Sequence, residues 1–137
     1  MRIAIVGTSK NLSENEERDV RQYCSQIIQS YDKNTTTIIT GGAKGVDEIA
    51  KEITHQLGYK IQEYLPEEQN WKSFKKRNIQ IATNSDELFC ITTPVHDTKC
   101  YHHNTPQNHQ KTAGCYTMKK AKELGKTVTL FVTPDRR

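Results

Sequence analysis

At 137 residues the chain has the size of one domain and is long enough for one substantial core. Apolar residues make up 34% and the mean hydropathy is −0.82, yet clear apolar periodicity excludes disorder. A net charge of +4 and a pI near 8.9 suit anionic ligands without demanding nucleic acid.

No run approaches the ~18 apolar residues of a membrane span, and the opening "MRIAIVG" is too short for a signal-peptide core. It reads as a strand. The four cysteines, Cys24, Cys90, Cys100 and Cys115, form no secreted-scaffold pattern, which predicts a reducing, cytoplasmic setting.

In chain order, 2–7 (RIAIVG) is a short apolar run of the kind that forms a buried parallel strand. Ser13 and Glu16 then have the spacing of a capping box. Val20, Tyr23, Cys24, Ile27, Ile28 and Tyr31 follow on one helical face. Residues 35–40 (TTTIIT) are β-branched and predict a second strand. Val46, Ile49, Ala50, Ile53 and Leu57 mark the next helix, with Gly58 at its C′ position. Residues 60–66 (KIQEYLP) alternate as an outer strand closed by Pro66.

The stretch 71–83 carries Trp71, Phe74, Asn78, Ile81 and Ala82 along one helical side, and 87–92 (ELFCIT) is a fourth strand. A polar stretch from 95 to about 113 has no clear period. "CYTMKKAKELG" reads as a helix ending before Gly125, 126–132 (KTVTLFV) as the last strand, and 133–137 as a frayed tail. Five strands alternating with four helical patterns specify an α/β fold: a single doubly wound domain, 1–137, with a mainly parallel five-stranded sheet.

Ligands of such sheets bind outside the carboxyl ends of the strands, where strand order reverses. Three of those ends are rich in small residues here: "GTSKN" (7–11), "TGGAKG" (40–45) and "TAGCYT" (112–117). Glycine lets backbone approach an anion closely, and first-turn helix N–H groups point at it. Thr8, Ser9, Thr112 and Thr117 offer hydroxyls, and Lys44 and Lys111 offer positive charge. Neither the dinucleotide fingerprint nor the P-loop pattern is present. The simplest alternative is that Gly41, Gly42 and Gly45 only allow a tight strand–helix turn.

The ordered set "GGAKGVDEIA", "RN" (77–78), "SDELFCI" (85–91) and "AGCYTMKKA" resembles the SLOG superfamily from Ile3 to Val132. That group of Rossmann-like domains includes the DNA-processing protein A family and the LONELY GUY phosphoribohydrolases. The resemblance implies a bound nucleotide or nucleotide-derived small molecule, with the protein acting as sensor or carrier. Carried over residue by residue, it points to Gly7, Thr8, Ser9, Gly41, Gly42, Ala43, Gly45, Asp47, Arg77, Asn78, Gly114 and Thr117.

Asp47, in a first helical turn, suits a ribose hydroxyl or a cap on exposed N–H groups, and Arg77 a bidentate phosphate contact. By composition alone, Arg77 and Asn78 read as surface of a Lys-rich helix. The proline-led P-G-G-x-G-T-x-x-E signature of the phosphoribohydrolases is missing. Met118, Lys119 and Lys120 stand where an acid is needed, and Glu48 is the nearest acid. A nucleotide hydrolase and a nucleic-acid-binding module using Lys119, Lys120, Lys122 and Lys126 stay open as alternatives, as does a homo-oligomer.

Five of the nine Cys and His residues fall between Cys100 and Cys115, where even scatter puts about one. Cys100, His103, His109 and Cys115 give C-x2-H-x5-H-x5-C, a set suited to a structural, tetrahedral Zn2+, with His102 able to replace His103. A metal would staple the polar stretch 95–113. Cys24 and Cys90 sit on apolar periods and read as core.

Overall fold

A computed structural model describes residues 1–93, 98–99, 106–107 and 113–134. The order of elements is β1 (Arg2–Gly7), α1 (Glu14–Gln29), β2 (Thr37–Thr40), α2 (Val46–Leu57), β3 (Lys60–Glu63), α3 (Trp71–Asn84) and β4 (Glu87–Thr92). A small antiparallel pair follows, β5 (Thr98–Lys99) with β6 (Pro106–Gln107), and then α4 (Ala113–Glu123) and β7 (Thr127–Val132).

The five-stranded sheet runs β3-β2-β1-β4-β7 with every pairing parallel. The chain therefore winds outward from β1 in one direction, then returns to the centre and winds out in the other. The reversal falls between β1 and β4, which is where a doubly wound sheet opens a crevice at its carboxyl edge.

Side-chain alternation along each strand explains the two layers. Ile3 and Ile5 of β1, Ile38 of β2 and Ile91 of β4 face one side, where Val20, Cys24 and Ile28 of α1 and Val46, Ile49 and Ala50 of α2 cover them. Ala4 and Val6, Ile39, Leu88 and Cys90 face the other side, under Ile81 and Ala82 of α3 and Cys115, Met118 and Ala121 of α4. That second layer holds more small side chains, Ala4, Ala82, Ala121, Cys90 and Cys115 among them.

Local signals act where the sequence places them. Ser13 Oγ accepts from Glu16 N–H (3.2 Å) while Glu16 Oε1 accepts from Ser13 N–H (2.9 Å), closing the box that starts α1. Gly58 ends α2 in the left-handed conformation. The second strand is shorter than the β-branched run suggests. Thr35 N–H instead bonds Asp32 C=O in the turn before it.

α4 begins two residues earlier than the sequence predicts, which puts Gly114 inside its first turn. The zinc expectation is overturned by the structure. Among the described residues no group of three or more His, Cys, Asp or Glu side chains is placed to hold a metal. Cys115 is fully buried in the core and shares the inner stripe of α4 with Met118 and Ala121. A helix period of three to four residues requires that placement once α4 extends through 113–123. Cys100, His102, His103 and His109 lie outside the described residues.

Candidate functional site

At the carboxyl edge of the sheet lies a cleft of about 490 Å³. Gly7 and Ser9 line it after β1, Gly41, Gly42 and Ala43 after β2, and Asp47 from α2. Arg77 and Asn78 line it from α3, and Gly114 and Thr117 from α4. Four segments distant in sequence thus meet at the reversal point of the sheet. Val6, Lys44, Leu65, Pro66, Gln69 and Phe74 complete the lining. Of these, Leu65, Pro66 and Gln69 belong to no motif. They follow the edge strand β3, where only the apolar Leu65 beside Pro66 hints at a wall.

Thr8 and Gly45 stand behind the cleft and not in its lining. Thr8 N–H donates to Ile91 C=O (3.0 Å), its carbonyl accepts from Val46 N–H (3.1 Å), and its hydroxyl accepts from Thr93 N–H (3.2 Å). One buried threonine thereby ties the ends of β1, β4 and α2 together. Gly45 has a φ of 81°, and a Cβ there would lie 2.4 Å from Thr8 C=O, so only glycine fits under the β1–α1 loop.

Gly7 and Gly114 form a second close approach. A Cβ on Gly114 would stand 2.7 Å from the Gly7 backbone, so the first turn of α4 rests directly on the end of β1. A Cβ on Gly7 would lie 1.9 Å from Ile91 C=O. Gly7→Ala is expected to cost about 2–3 kcal/mol, the upper part of the overpacking range, because a backbone carbonyl cannot swing aside. Urea unfolding midpoints of the variant and the parent measure this, and equal midpoints would contradict the packing described.

The polar centre is the cluster of Asp47, Arg77, Asn78 and Gly41. Arg77 is only 6% exposed, and its Nη1 donates to Gly41 C=O while Nε donates to Asn78 Oδ1 (2.8 Å). Its guanidinium also lies 5.9 Å from the centre of the Phe74 ring. Asp47 Oδ2 accepts from Ala43 N–H (3.2 Å), and a Gly41 backbone hydrogen bond supports the same carboxylate. Gly41 is compelled by this packing. A Cβ there would sit 2.7 Å from Arg77 Nη1 and 2.9 Å from Asp47 Oδ2.

Burial pushes the Asp47 carboxyl up to about 6, against the opposing pull of Arg77 and the two backbone bonds. Burial likewise lowers Arg77, with Asp47 opposing. Arg77 spends Nε and Nη1 inside the protein, so it acts first as a strut between α3 and the β2–α2 turn. The exposed Lys44 adds a second positive charge at the rim.

Buried polar atoms without a hydrogen-bond partner among the described residues are Thr40 Oγ1, Asp47 Oδ1, Asn78 Nδ2, Thr92 Oγ1 and Thr133 Oγ1. Thr40 ends β2, Thr92 ends β4 and Thr133 follows β7. All five therefore gather toward the carboxyl edge of the sheet. Unpaired buried groups cost about 1–3 kcal/mol each, and their concentration at one edge marks it as the end not optimised for stability.

The sequence matches no protein-family model and is not detectably similar to any curated protein. Its fold is similar to that of solved structures. One is DNA processing protein A (DprA) from Streptococcus pneumoniae, with a TM-score of 0.67 and 18% identity over 94% of this chain. This chain spans about half, 49%, of that protein's length. Another is the protein TM1055, with a TM-score of 0.65 and 19% identity over 93% of this chain and 71% of that one. At such identities the likeness shows a shared architecture, and this chain has the Rossmann-like, doubly wound fold of both.

Proposed function

We propose that the cleft binds a nucleotide or nucleotide-derived small molecule, with the protein serving as sensor or carrier. The observation that carries this reading is the convergence of Gly7, Ser9, the Gly41–Ala43 turn, Asp47, Arg77, Asn78, Gly114 and Thr117 on one cleft at the strand-order reversal. These are residues that the motif order marks before any geometry is considered. The glycine-lined wall admits close backbone approach, and Arg77 and Lys44 make the site hospitable to an anion.

The same reading takes 1–137 as one SLOG-like domain with 95–113 as an insertion in it, and the fold shared with DNA processing protein A supports its Rossmann-like part. No catalytic group is assigned. Among the described residues no helix is long and apolar enough to cross a membrane, so nothing in them places the cleft in a bilayer.

Native mass spectrometry of the purified protein, followed by titration with AMP, GMP, CMP and UMP, tests the reading. At least one of them is expected to bind with a micromolar or tighter Kd and to be recovered intact. Release of free base or phosphate would replace the sensor by a hydrolase. Affinity confined to single-stranded DNA or RNA, falling steeply with salt, would replace it by a nucleic-acid module.

A further inference from the structure

The lining of the cleft is mixed in chemistry. Gly7, Ser9 and Gly114 contribute backbone and a serine hydroxyl, while Leu65, Pro66 and Phe74 contribute apolar side chains. We infer that the Leu65–Pro66–Phe74 wall is a ring subsite that takes the planar base of the ligand. The inference rests on the nucleotide reading and leaves the glycine and serine part of the lining to the sugar–phosphate end.

Leu65 stands out on this lining. It is 61% exposed in a chain whose other exposed large apolar side chains, among the described residues, are Met1, Trp71, Ile79 and Leu124. None of those four lines the cleft. Leu65 also lies against the Gly41–Gly42 turn. A Cβ on Gly42 would lie 2.3 Å from Leu65 Cδ2, and Gly42 has a φ of +72°. The glycine turn therefore serves as a seat for Leu65 as well as a wall of the cleft. With Pro66 and Phe74 beside it in the lining, Leu65 extends one apolar patch at the cleft, and it is that patch that suits an apolar ligand surface.

Phe74 extends the same wall and is half-buried. The Arg77 guanidinium lies 5.9 Å from its ring centre and supports the ring from the protein side. Flat, electron-delocalised rings pack well on aromatic planes. The size of the cleft, about 490 Å³, is within the roughly 300–1,000 Å³ of sites for drug-sized ligands and exceeds what a phosphate group alone would fill.

The test is calorimetric titration of the full chain with ribose 5-phosphate and with the tightest of AMP, GMP, CMP and UMP. The parent is expected to bind the nucleotide at least tenfold more tightly than the sugar phosphate. Leu65→Ala, at an exposed position that leaves the core intact, is expected to weaken the nucleotide fivefold or more and leave ribose 5-phosphate unchanged. Phe74→Leu, with an unaltered Tm as its control, is expected to do the same. Equal affinity for nucleotide and sugar phosphate, or equal losses for both ligands in L65A, would remove the ring subsite and leave the nucleotide reading standing. Failure of the parent to bind either ligand would remove both.

Discussion

Arg77→Ala is expected to lower stability by about 3–5 kcal/mol, the range for breaking a buried charge arrangement by removing one partner. The guanidinium joins α3 to the β2–α2 turn through Gly41 C=O and Asn78 Oδ1. Without it those two acceptors lose their donor, and Asp47, itself 6% exposed, loses the nearby positive charge that opposes its burial. Against a typical domain stability of about 5–15 kcal/mol, such a loss approaches global unfolding.

Arg77→Lys is expected to fall between the parent and the alanine variant, because an ammonium supplies charge without the planar fork that reaches two acceptors. The sharper measurement is a cycle with Asp47→Asn. Removing Asp47 as well relieves the stranded carboxylate, so R77A/D47N is expected to be more stable than simple addition of the two single effects predicts. Urea unfolding of the four proteins decides it. Strict additivity would show that Arg77 and Asp47 act independently, and the strut would then rest on the Gly41 and Asn78 bonds alone.

The fold was legible because its strongest signals are local and repeated. β1 and β4 are continuous apolar runs bordered by polar residues, and α1 carries both its cap and its stripe in sequence. Arg77 shows the opposite case. It sits among Lys72, Lys75 and Lys76, and neither composition nor period distinguishes a buried arginine from its solvated neighbours. Only the ordered motif singled it out.

Cys115 failed in the reverse direction. Its chain distance from Cys100, His103 and His109 suggested a metal set, while its phase with Met118 and Ala121 in α4 made it core. Phase within a helix was the more physical signal, since it fixes which side faces the sheet. Leu65 was illegible as a site residue for another reason. Its role depends on where the β3–α3 connection passes relative to the Gly41–Gly42 turn, a tertiary fact with no local pattern.

Asp47 gives the second large effect, and it depends on pH. Its carboxyl titrates near 3.8 when unfolded and at about 6 in the folded protein. Between those values the folded chain keeps a proton that the unfolded chain has released, so the contribution of Asp47 to stability falls as pH rises. The full penalty is present above about pH 6 and absent below about pH 4. At about 1.4 kcal/mol per pKa unit the swing is on the order of 3 kcal/mol.

The groups around Asp47 do not alter the sign. Arg77 from α3 and the backbone bonds from Ala43 and Gly41 favour the carboxylate, while burial and Glu63 from β3 oppose it more strongly. Asp47→Asn is neutral at every pH and lacks the swing. Relative to the parent, D47N is therefore expected to be about 3 kcal/mol more stable at pH 7 than the same comparison gives at pH 4. Urea unfolding of both proteins across pH 4–7 measures that difference and cancels the other titrating groups. Parallel curves would mean that Asp47 is already ionised throughout, with Arg77 outweighing burial at the centre of the cleft.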